Sequence, residues 1–319
     1  MLRKIVLFIV VALVVIVGAA WLKLRGPDIP YETLDARYAG AGSGFADLPG
    51  GVRMHYEATG EAGRPVVVLV HGYGDSFTGW EGWVRVLAKD YRVIALDLPG
   101  HGLTRAPDGY RASASGYVAL VDSLATNLSL SRFAIAGNSM GGGVAWQFAL
   151  AHPEKLSALI LVDAAGWPMP PPKDLPLAFR ILQYRLGRWA LAQIDNRPLI
   201  SEGLRKDVHD PAVITEAFID RWAEFQRAPG HREILMSADL GSLASASDTT
   251  LAAIHVPTLV LHGEADPLIP LASGKHFATA IPGAKLITYP NVGHLPQVEI
   301  PDRSAADVAS FLAALPATP

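Results

Sequence analysis

The 319-residue sequence predicts an α/β fold, with a mostly parallel central sheet and helices on both faces. Short apolar runs recur along the chain, and most are separated by amphipathic stretches of helical length. Continuous runs of four to six apolar residues are typical of strands covered on both faces, and their alternation with helices indicates parallel pairing. The runs lie at 66–70, 92–96, 133–136, 158–162, 257–262 and 285–289.

One long segment, residues 166–250, interrupts this alternation. It begins with the breaker run GWPMPPPKDLP and continues with helical patterns at 177–193, 201–208, 212–228 and 230–238. A helical insertion between two strands of such a sheet covers one end of the sheet and shapes a pocket there. We therefore predict a helical cap over 166–250 and a core made of 51–165 and 251–319.

The amino-terminal 25 residues differ from the rest in hydropathy. Ile5 to Leu22 carry no charge, and basic residues flank the run on both sides. An apolar helix of 18 residues is about 27 Å long, which matches the hydrocarbon core of a bilayer. We predict an uncleaved single-pass transmembrane anchor over 1–25, with the catalytic body outside the cytoplasm. The small residues around Gly18 leave a cleaved signal and a secreted protein as the alternative.

Composition narrows the remaining possibilities. Residues 26–50 are rich in Gly, Pro and Ala and predict a linker. The formal net charge of −3 gives no indication of nucleic-acid binding. The absence of cysteine excludes disulfides, thiolate metal sites and a cysteine nucleophile. We find no metal-ligand constellation and no phosphate-binding glycine loop, so no cofactor and no metal are predicted.

A glycine-rich stretch predicts the nucleophile. The sequence GNSMG, residues 137–141, fits G-x-S-x-G, follows the apolar run FAIA and opens a helical pattern. In this strand, turn and helix context, the serine is held in a strained conformation with its hydroxyl exposed, and the glycines avoid clashes with neighbouring backbone. Ser139 is the predicted nucleophile.

A serine hydroxyl needs a base, and the base needs a group that orients it. Asp266 follows the apolar run at 257–262, and His294 follows the run at 285–289. All three residues then lie at the carboxyl ends of parallel strands, where open α/β sheets build their sites. Asp163, after the run at 158–162, is an alternative acid. Other histidines, such as His231 in the cap, are expected at the surface.

Two backbone amides are candidates for the oxyanion hole. The N–H of Met140 follows the nucleophile at the start of a helix, where amides have no intrahelical partner. The N–H of Tyr73 lies in VHGYGDS, between two glycines that allow the backbone to approach the site closely.

The stretches LVHGYGDS, ALDLPGHG, GNSMGG, LHGEADPLIP and NVGHLPQVE together resemble the α/β-hydrolase superfamily with a helical cap. The similarity covers about residues 50–316. It implies a triad of Ser139, His294 and Asp266, with Tyr73 and Met140 as main-chain oxyanion donors. It also implies that Asp97, in DLPGHG, belongs to a structural turn.

The resemblance extends to two groups of enzymes. GNSMGG, followed by LILVDAAGW, is similar to membrane-associated bacterial lipases and monoacylglycerol-lipase-like esterases. It is also similar to carbon–carbon bond hydrolases of ring-fission products, which often carry Asn beside the serine but usually have Trp after the catalytic His, where this chain has Leu295.

We therefore expect a membrane-anchored serine hydrolase of apolar carboxylic esters. A carbon–carbon bond hydrolase is the alternative, and a binding protein that has kept the fold without the chemistry is a third possibility. The expected partners are a small apolar ester and, through the amino-terminal helix, a membrane.

Overall fold

The structure, a computed structural model, describes residues 2–168, 175–239 and 241–316. Its framework is an eight-stranded sheet with the strand order β1-β2-β4-β3-β5-β6-β7-β8. Strands β3 to β8 are parallel, and β1 and β2 join one edge in antiparallel pairing. The strands are β1 (Ser43–Leu48), β2 (Val52–Thr59), β3 (Val66–Val70), β4 (Arg92–Leu96), β5 (Phe133–Asn138), β6 (Leu156–Val162), β7 (Thr258–Gly263) and β8 (Lys285–Tyr289).

Helices cover both faces of the sheet, as the sequence predicts. All α-helices of the described residues, on the sheet and elsewhere, are α1 (Leu2–Leu24), α2 (Tyr31–Tyr38), α3 (Glu81–Leu87), α4 (Ala114–Asn127), α5 (Met140–Ala151), α6 (Leu177–Leu182), α7 (Arg185–Gln193), α8 (Arg197–Asp207), α9 (Glu216–Gln226), α10 (His231–Ser237), α11 (Asp248–Ala252), α12 (Leu271–Ala280), α13 (Pro296–Glu299) and α14 (Pro301–Ala313).

The sheet separates two apolar cores. In β3, Val68 and Val70 pack with α4 and α5, whereas Val67 and Leu69 pack with α3 and α14 on the opposite face. Successive side chains of a strand point to opposite faces, so a strand buried on both sides must be apolar throughout. This explains why the parallel strands are continuous apolar runs in the sequence.

The prediction of a linker over 26–50 is wrong for much of that segment. It contains α2, whose Leu34 is fully buried, and β1, which pairs residue by residue with β2 from Ser43 opposite Glu57 to Leu48 opposite Val52. The sequence SGFADL has few large apolar side chains, because an edge strand has fewer neighbours to pack against than a central one. The Gly and Ala residues of β1 therefore led to the prediction of a linker instead of a strand.

Helix α1 contains the apolar run predicted at Ile5 to Leu22, and many of its apolar side chains are exposed; Phe8 is 75% exposed. Judged over the described residues, no helix combines the length and the apolar character needed to cross a bilayer. The predicted transmembrane anchor over 1–25 is therefore not supported. The side chain of Ala20, inside the predicted run, lies outside the described residues.

The carboxyl end of α1 is fastened to the cap. The Trp21 ring stacks on Trp189 of α7, with ring centroids 6.3 Å apart. The Asp195 N–H donates to the Leu24 carbonyl over 2.8 Å, and Arg232 of α10 pairs with Asp28 at 2.6 Å. These contacts join the beginning of the chain to residues far along it.

The segment between β6 and β7, predicted as a helical cap over 166–250, contains helices α6 to α11 among its described residues; residues 169–174 of its breaker run lie outside them. The helix predicted over 177–193 is two helices, because the chain turns at Tyr184, whose backbone is extended. In the sequence, Phe179, Leu186 and Trp189 have the spacing of residues on one face of a helix, but the turn places them on different sides. Phe179 faces the interior, whereas Leu186 and Trp189 are 81% and 62% exposed.

A buried carboxylate organises the loop after β4. Asp97 accepts hydrogen bonds from the His55 ring (2.8 Å), the Phe77 N–H (2.8 Å) and the Leu103 N–H (2.9 Å). Burial alone would raise the pKa of Asp97, but the hydrogen bond and charge of His55, together with His71 and the amide donor, hold that pKa below its usual range. This agrees with a structural role for Asp97.

We predict that Asp97→Ala lowers the free energy of unfolding by about 3–5 kcal/mol, because it leaves buried donors without their charged acceptor. Since the folded-state pKa is depressed, the contribution of Asp97 is present above the unfolded pKa and is lost as the pH falls through the folded value. Urea unfolding at neutral and acid pH measures both effects.

The matched control is Asp302→Ala, which removes an exposed ion pair with Arg85 and is expected to cost less than about 1 kcal/mol. Equal losses in the two variants would contradict the prediction.

Candidate active site

Ser139 lies in a strained turn between β5 and α5. Its φ of 53° and ψ of −117° are unusual for a residue with a side chain. A Cβ on Gly141 would lie 2.1 Å from the Val70 carbonyl oxygen, and one on Gly137 would lie 2.1 Å from the Gly141 carbonyl oxygen. These approaches explain why glycines surround the serine: the backbone passes too close for side chains.

Asp266 and His294 form a hydrogen-bonded pair beside this turn. The Nδ1 of His294 lies 2.7 Å from Asp266 Oδ2, and Asp266 Oδ1 accepts the N–H groups of Leu268 (2.7 Å) and Ile269 (2.9 Å). A carboxylate only accepts, so Nδ1 carries the hydrogen and Nε2 is left as the basic atom. The backbone amides fix the carboxylate, which in turn orients the ring.

The pKa values of the pair are shifted in opposite directions. Burial alone would lower the pKa of His294, but the charge and hydrogen bond of Asp266, with a contribution from Asp207, raise it above its ordinary value of 6.5. Burial alone would raise the pKa of Asp266, but His294 and the amide donor lower it. The carboxylate therefore stabilises the imidazolium that forms when the ring accepts a proton.

Ser139 and His294 line one cavity of about 290 Å³ between the core and the cap. The structure has no hydrogen bond between the Ser139 hydroxyl and the His294 ring. Catalytic hydrogen bonds are often long or misaligned before substrate binds, so the absence of this bond is compatible with proton transfer in a complex. The structure thus joins Asp266 to His294 directly and places Ser139 beside them through the shared cavity.

The two predicted oxyanion donors belong to the segment after Ser139 and to the loop after β3. Met140 is the first residue of α5, so its N–H has no intrahelical acceptor and lies at the positive end of the helix dipole. Tyr73 lines the cavity, and its hydroxyl donates to the Leu235 carbonyl at 2.9 Å in the cap. A Cβ on Gly72 would lie 3.4 Å from Ser139 Cβ, so this loop passes close to the serine.

Two residues that sequence reasoning did not identify position the His294 loop. The Asn138 amide donates to the His294 carbonyl at 3.1 Å and to the Val162 carbonyl at 3.2 Å. The His294 N–H donates to the Asp207 carbonyl at 2.7 Å, which links the cap to the catalytic loop. Asn138 could have been suspected because it stands beside the serine, whereas nothing in the sequence around Asp207 indicates this contact.

Asp163, the alternative acid, is buried beside Asp266 and does not contact His294. Its Oδ1 accepts the Gly263 N–H at 2.9 Å and lies 3.5 Å from His262 Nε2. Burial, and then the charge of Asp266, raise the pKa of Asp163 well above its usual range. A raised pKa disfavours the carboxylate form that orients a catalytic histidine, so Asp163 does not suit the orienting role.

Asp163, His262 and Asp266 are also a group of potential metal ligands among the described residues. However, His262 Nε2 already donates to the Ile269 carbonyl at 2.9 Å, and Asp266 is used by His294 and two amides. His262 Nε2 and the Asp266 carboxylate are therefore already used within the protein, whereas Asp163 Oδ2 and His262 Nδ1 have no hydrogen-bond partner in the part of the chain that the structure describes.

The buried rings of His71 and His231 also bond to backbone. His71 bonds to the Gly72 carbonyl (2.7 Å) and accepts the Leu98 N–H (3.0 Å), and burial lowers its pKa. The expectation that His231 lies at the surface is wrong. Its ring is fully buried and bonds to Tyr31 of α2 and to the Phe225 carbonyl, because the amino-terminal segment packs over the cap there.

The cavity is mostly apolar, with two carboxyl groups near its catalytic end. Asp75 accepts the Trp222 ring N–H at 2.9 Å, and burial raises its pKa to about 7. Burial likewise raises the pKa of Asp207 to about 7. None of the described residues that line the cavity is a lysine or an arginine.

Residues 67–309 match the Alpha/beta hydrolase family. The chain belongs to this family. The assignment accords with the sheet topology, with the strained serine after β5 and with the helical insertion before β7.

Named relatives within the α/β hydrolases share about a third of their residues with this chain. It is 30% identical to a 2-hydroxymuconate semialdehyde hydrolase of Pseudomonas sp. (strain CF600), covering 83% of this chain and 92% of the relative. It is 31% identical to a 2-hydroxy-6-oxo-2,4-heptadienoate hydrolase of Pseudomonas putida, covering 84% and 95%.

The crystal structure of a membrane phospholipase A, described as a bacterial virulence factor, has a similar fold. It superposes with a TM-score of 0.73 at 24% identity and covers 99% of this chain and 100% of that one. At this identity, the likeness concerns the fold alone.

We predict that Asp266→Asn slows reaction of Ser139 with a fluorophosphonate by about 10⁴-fold, because the ring loses its orienting acceptor and correct tautomer. In the wild type, the rate should rise with pH through a midpoint above 6.5, since protonated His294 cannot accept the serine proton. In the variant, the midpoint should move to lower pH, because the charge that raises the His294 pKa is gone.

Labelling rates from pH 5 to 9 measure these effects. Asp302→Asn, on the exposed surface, is the control and should behave as the wild type. An unchanged midpoint in Asp266→Asn would exclude Asp266 as the partner of His294.

Proposed function

We propose that this α/β hydrolase cleaves uncharged carboxylic esters with apolar acyl groups through an acyl-enzyme on Ser139. The observation that carries the proposal is the composition of the cavity in front of the serine. Its described walls are mainly aliphatic and aromatic, and they contain no lysine or arginine that could pair with a charged substrate.

The acidic groups of the cavity favour the same substrate class. Asp75 and Asp207 both have pKa values raised to about 7, so they carry partial negative charge near neutral pH. An anionic substrate would meet like charge in a poorly solvated cavity, where electrostatic interactions are strong. A neutral ester avoids this cost.

The geometry supports a two-step mechanism. Ser139 Oγ attacks the ester carbonyl carbon while His294 Nε2 accepts the serine proton, and Asp266 stabilises the imidazolium. The Met140 and Tyr73 N–H groups donate to the oxyanion of the tetrahedral intermediate. As the C–O bond breaks, His294 returns the proton to the leaving alcohol. Water then attacks the acyl-enzyme with His294 as base, and the acid is released.

Carbon–carbon bond hydrolysis is the second candidate, and the named relatives favour it over ester hydrolysis. Both relatives are hydrolases of this kind by name, at about 30% identity over most of the chain. Asn138 beside the serine fits that group, whereas Leu295 after His294 departs from its usual Trp. Attack of Ser139 on a ketone carbonyl would use the same residues as attack on an ester.

A substrate panel distinguishes the two candidates. We expect turnover of p-nitrophenyl octanoate and no turnover of a 2-hydroxy-6-oxo-dienoic acid, because the cavity lacks a described cation for the carboxylate. The Ser139→Ala control should lower kcat on the ester by roughly 10⁴-fold or more. Turnover of the dienoic acid without ester activity would establish the second candidate, and absence of both activities and of labelling would favour a binding protein.

We further propose that the exposed apolar side chains of α1 bind a lipid surface. Phe8 is 75%, Leu7 64% and Val14 64% exposed, and water is an unfavourable environment for so many exposed apolar side chains on one helix. Contact with lipid would bring the cavity close to apolar substrates. A location of the catalytic domain outside the cytoplasm, anchored or secreted, stays a prediction from the sequence.

Flotation with vesicles of phosphatidylcholine and phosphatidylglycerol tests this proposal. Phe8→Asp with Val14→Asp should lower the partition coefficient more than about tenfold, because aspartate is costly in hydrocarbon. Ala62→Asp with Ser131→Asp adds the same charge to the exposed surface of the core and should leave the partition unchanged. Equal binding of both double variants would exclude α1 as the contact.

A further inference from the structure

One face of helix α8 forms a continuous wall of the cavity. The lining residues on and beside this helix are Asn196, Leu199, Ile200, Gly203, Leu204 and Asp207. Their spacing of three or four residues places them on a single side of an α-helix. The other side of α8 is polar: Arg197 and Arg205 both pair with Glu216 of α9 at 2.7 Å.

The wall runs from the catalytic histidine toward the far end of the cavity. Asp207, at the carboxyl end of α8, accepts the His294 N–H through its carbonyl at 2.7 Å, which fixes that end beside the reacting groups. Asn196 lies at the opposite end, about 16 Å away at the rise of an α-helix. Between these two ends, the residues of α8 that line the cavity have apolar side chains, apart from one glycine.

Gly203 leaves space in the middle of this wall. Among the described residues, a Cβ there would meet only Pro176 Cβ, at 4.0 Å, so a larger side chain at this position would extend into the cavity. Glycine in a helix interior costs about 1 kcal/mol relative to alanine. Gly203 lies in regular helix without a positive φ, and no residue that the structure describes packs closely enough against it to require a glycine.

Facing this wall, α6 and α7 supply further apolar side chains, including Phe179, Leu182 and Leu191. An extended hydrocarbon chain with its carbonyl at Ser139 would be enclosed between the two walls. A polar or charged chain would lose its hydration there without gaining partners along the middle of α8.

We infer that the cavity face of α8 binds the acyl chain of the substrate, and that the space at Gly203 admits chains of medium or greater length. This inference rests on the proposed ester hydrolysis and names its substrate class as esters of unbranched, uncharged acyl groups. Gly203 is a specificity-determining position and takes no part in the chemistry.

Labelling of Ser139 by methyl and octyl fluorophosphonates tests the inference, with intact mass as the readout and without the need for ester turnover. The wild type should react faster with the octyl probe than with the methyl probe. Gly203→Leu should lower the octyl-to-methyl rate ratio at least about tenfold, the loss expected when two methylenes are no longer buried. Gly203→Ala should lower it less.

The matched control is Lys206→Leu, which adds the same side chain to the exposed side of α8 and should keep the ratio within about twofold. Thermal unfolding should show Gly203→Leu at least as stable as the wild type, since leucine favours the helix. If Gly203→Leu does not fold, the octyl-to-methyl rate ratio of Gly203→Ala tests the inference instead.

An unchanged ratio in both Gly203 variants, an equal fall in Lys206→Leu or no octyl preference in the wild type would overturn the inference. Absence of ester turnover together with a Gly203-dependent octyl preference would overturn the proposed ester hydrolysis. It would still support binding of a hydrocarbon chain by the cavity face of α8.

Discussion

The active-site geometry depends on close backbone packing around the Ser139 turn. The Ser139 N–H donates to the Val162 carbonyl at 3.0 Å, and the Ser139 carbonyl accepts the Ala165 N–H at 2.9 Å, so the turn is bonded to the end of β6 on one side. On the other side, Gly141 lies against the carbonyl of Val70 at the end of β3. Three neighbouring strands thus hold one residue in a conformation that it would not adopt alone.

This constraint explains which features of the fold and of the site could be predicted from the sequence. The Ser139 turn requires glycines at fixed positions, so the position of the serine could be predicted. A sheet covered on both faces requires continuous apolar runs, so the α/β class and the parallel pairing of the strands could be predicted as well. Asp266 and His294 were predictable for the same reason, since each follows a buried strand and the ends of parallel strands meet at one edge.

Other features depend on contacts between distant segments and leave little local pattern. Strand β1 is defined by its pairing with β2, and its sequence alone reads as a turn-rich stretch. His231 is buried by Tyr31, about 200 positions away. Asp207 approaches His294 because the cap folds back onto the core, and the break at Tyr184 separates the exposed Trp189 from Phe179 in the cavity. Periodicity within one helix cannot report such packing.

The attachment of the amino-terminal helix links two parts of the molecule mechanically. Trp21 stacks on the cap, Leu24 shares a backbone hydrogen bond with Asp195, and Asp28 pairs with Arg232, so the helix is anchored to the same unit that walls the cavity. A displacement of the cap relative to the core must therefore move this helix as well. Whatever holds the helix in place also restrains the cap side of the cavity.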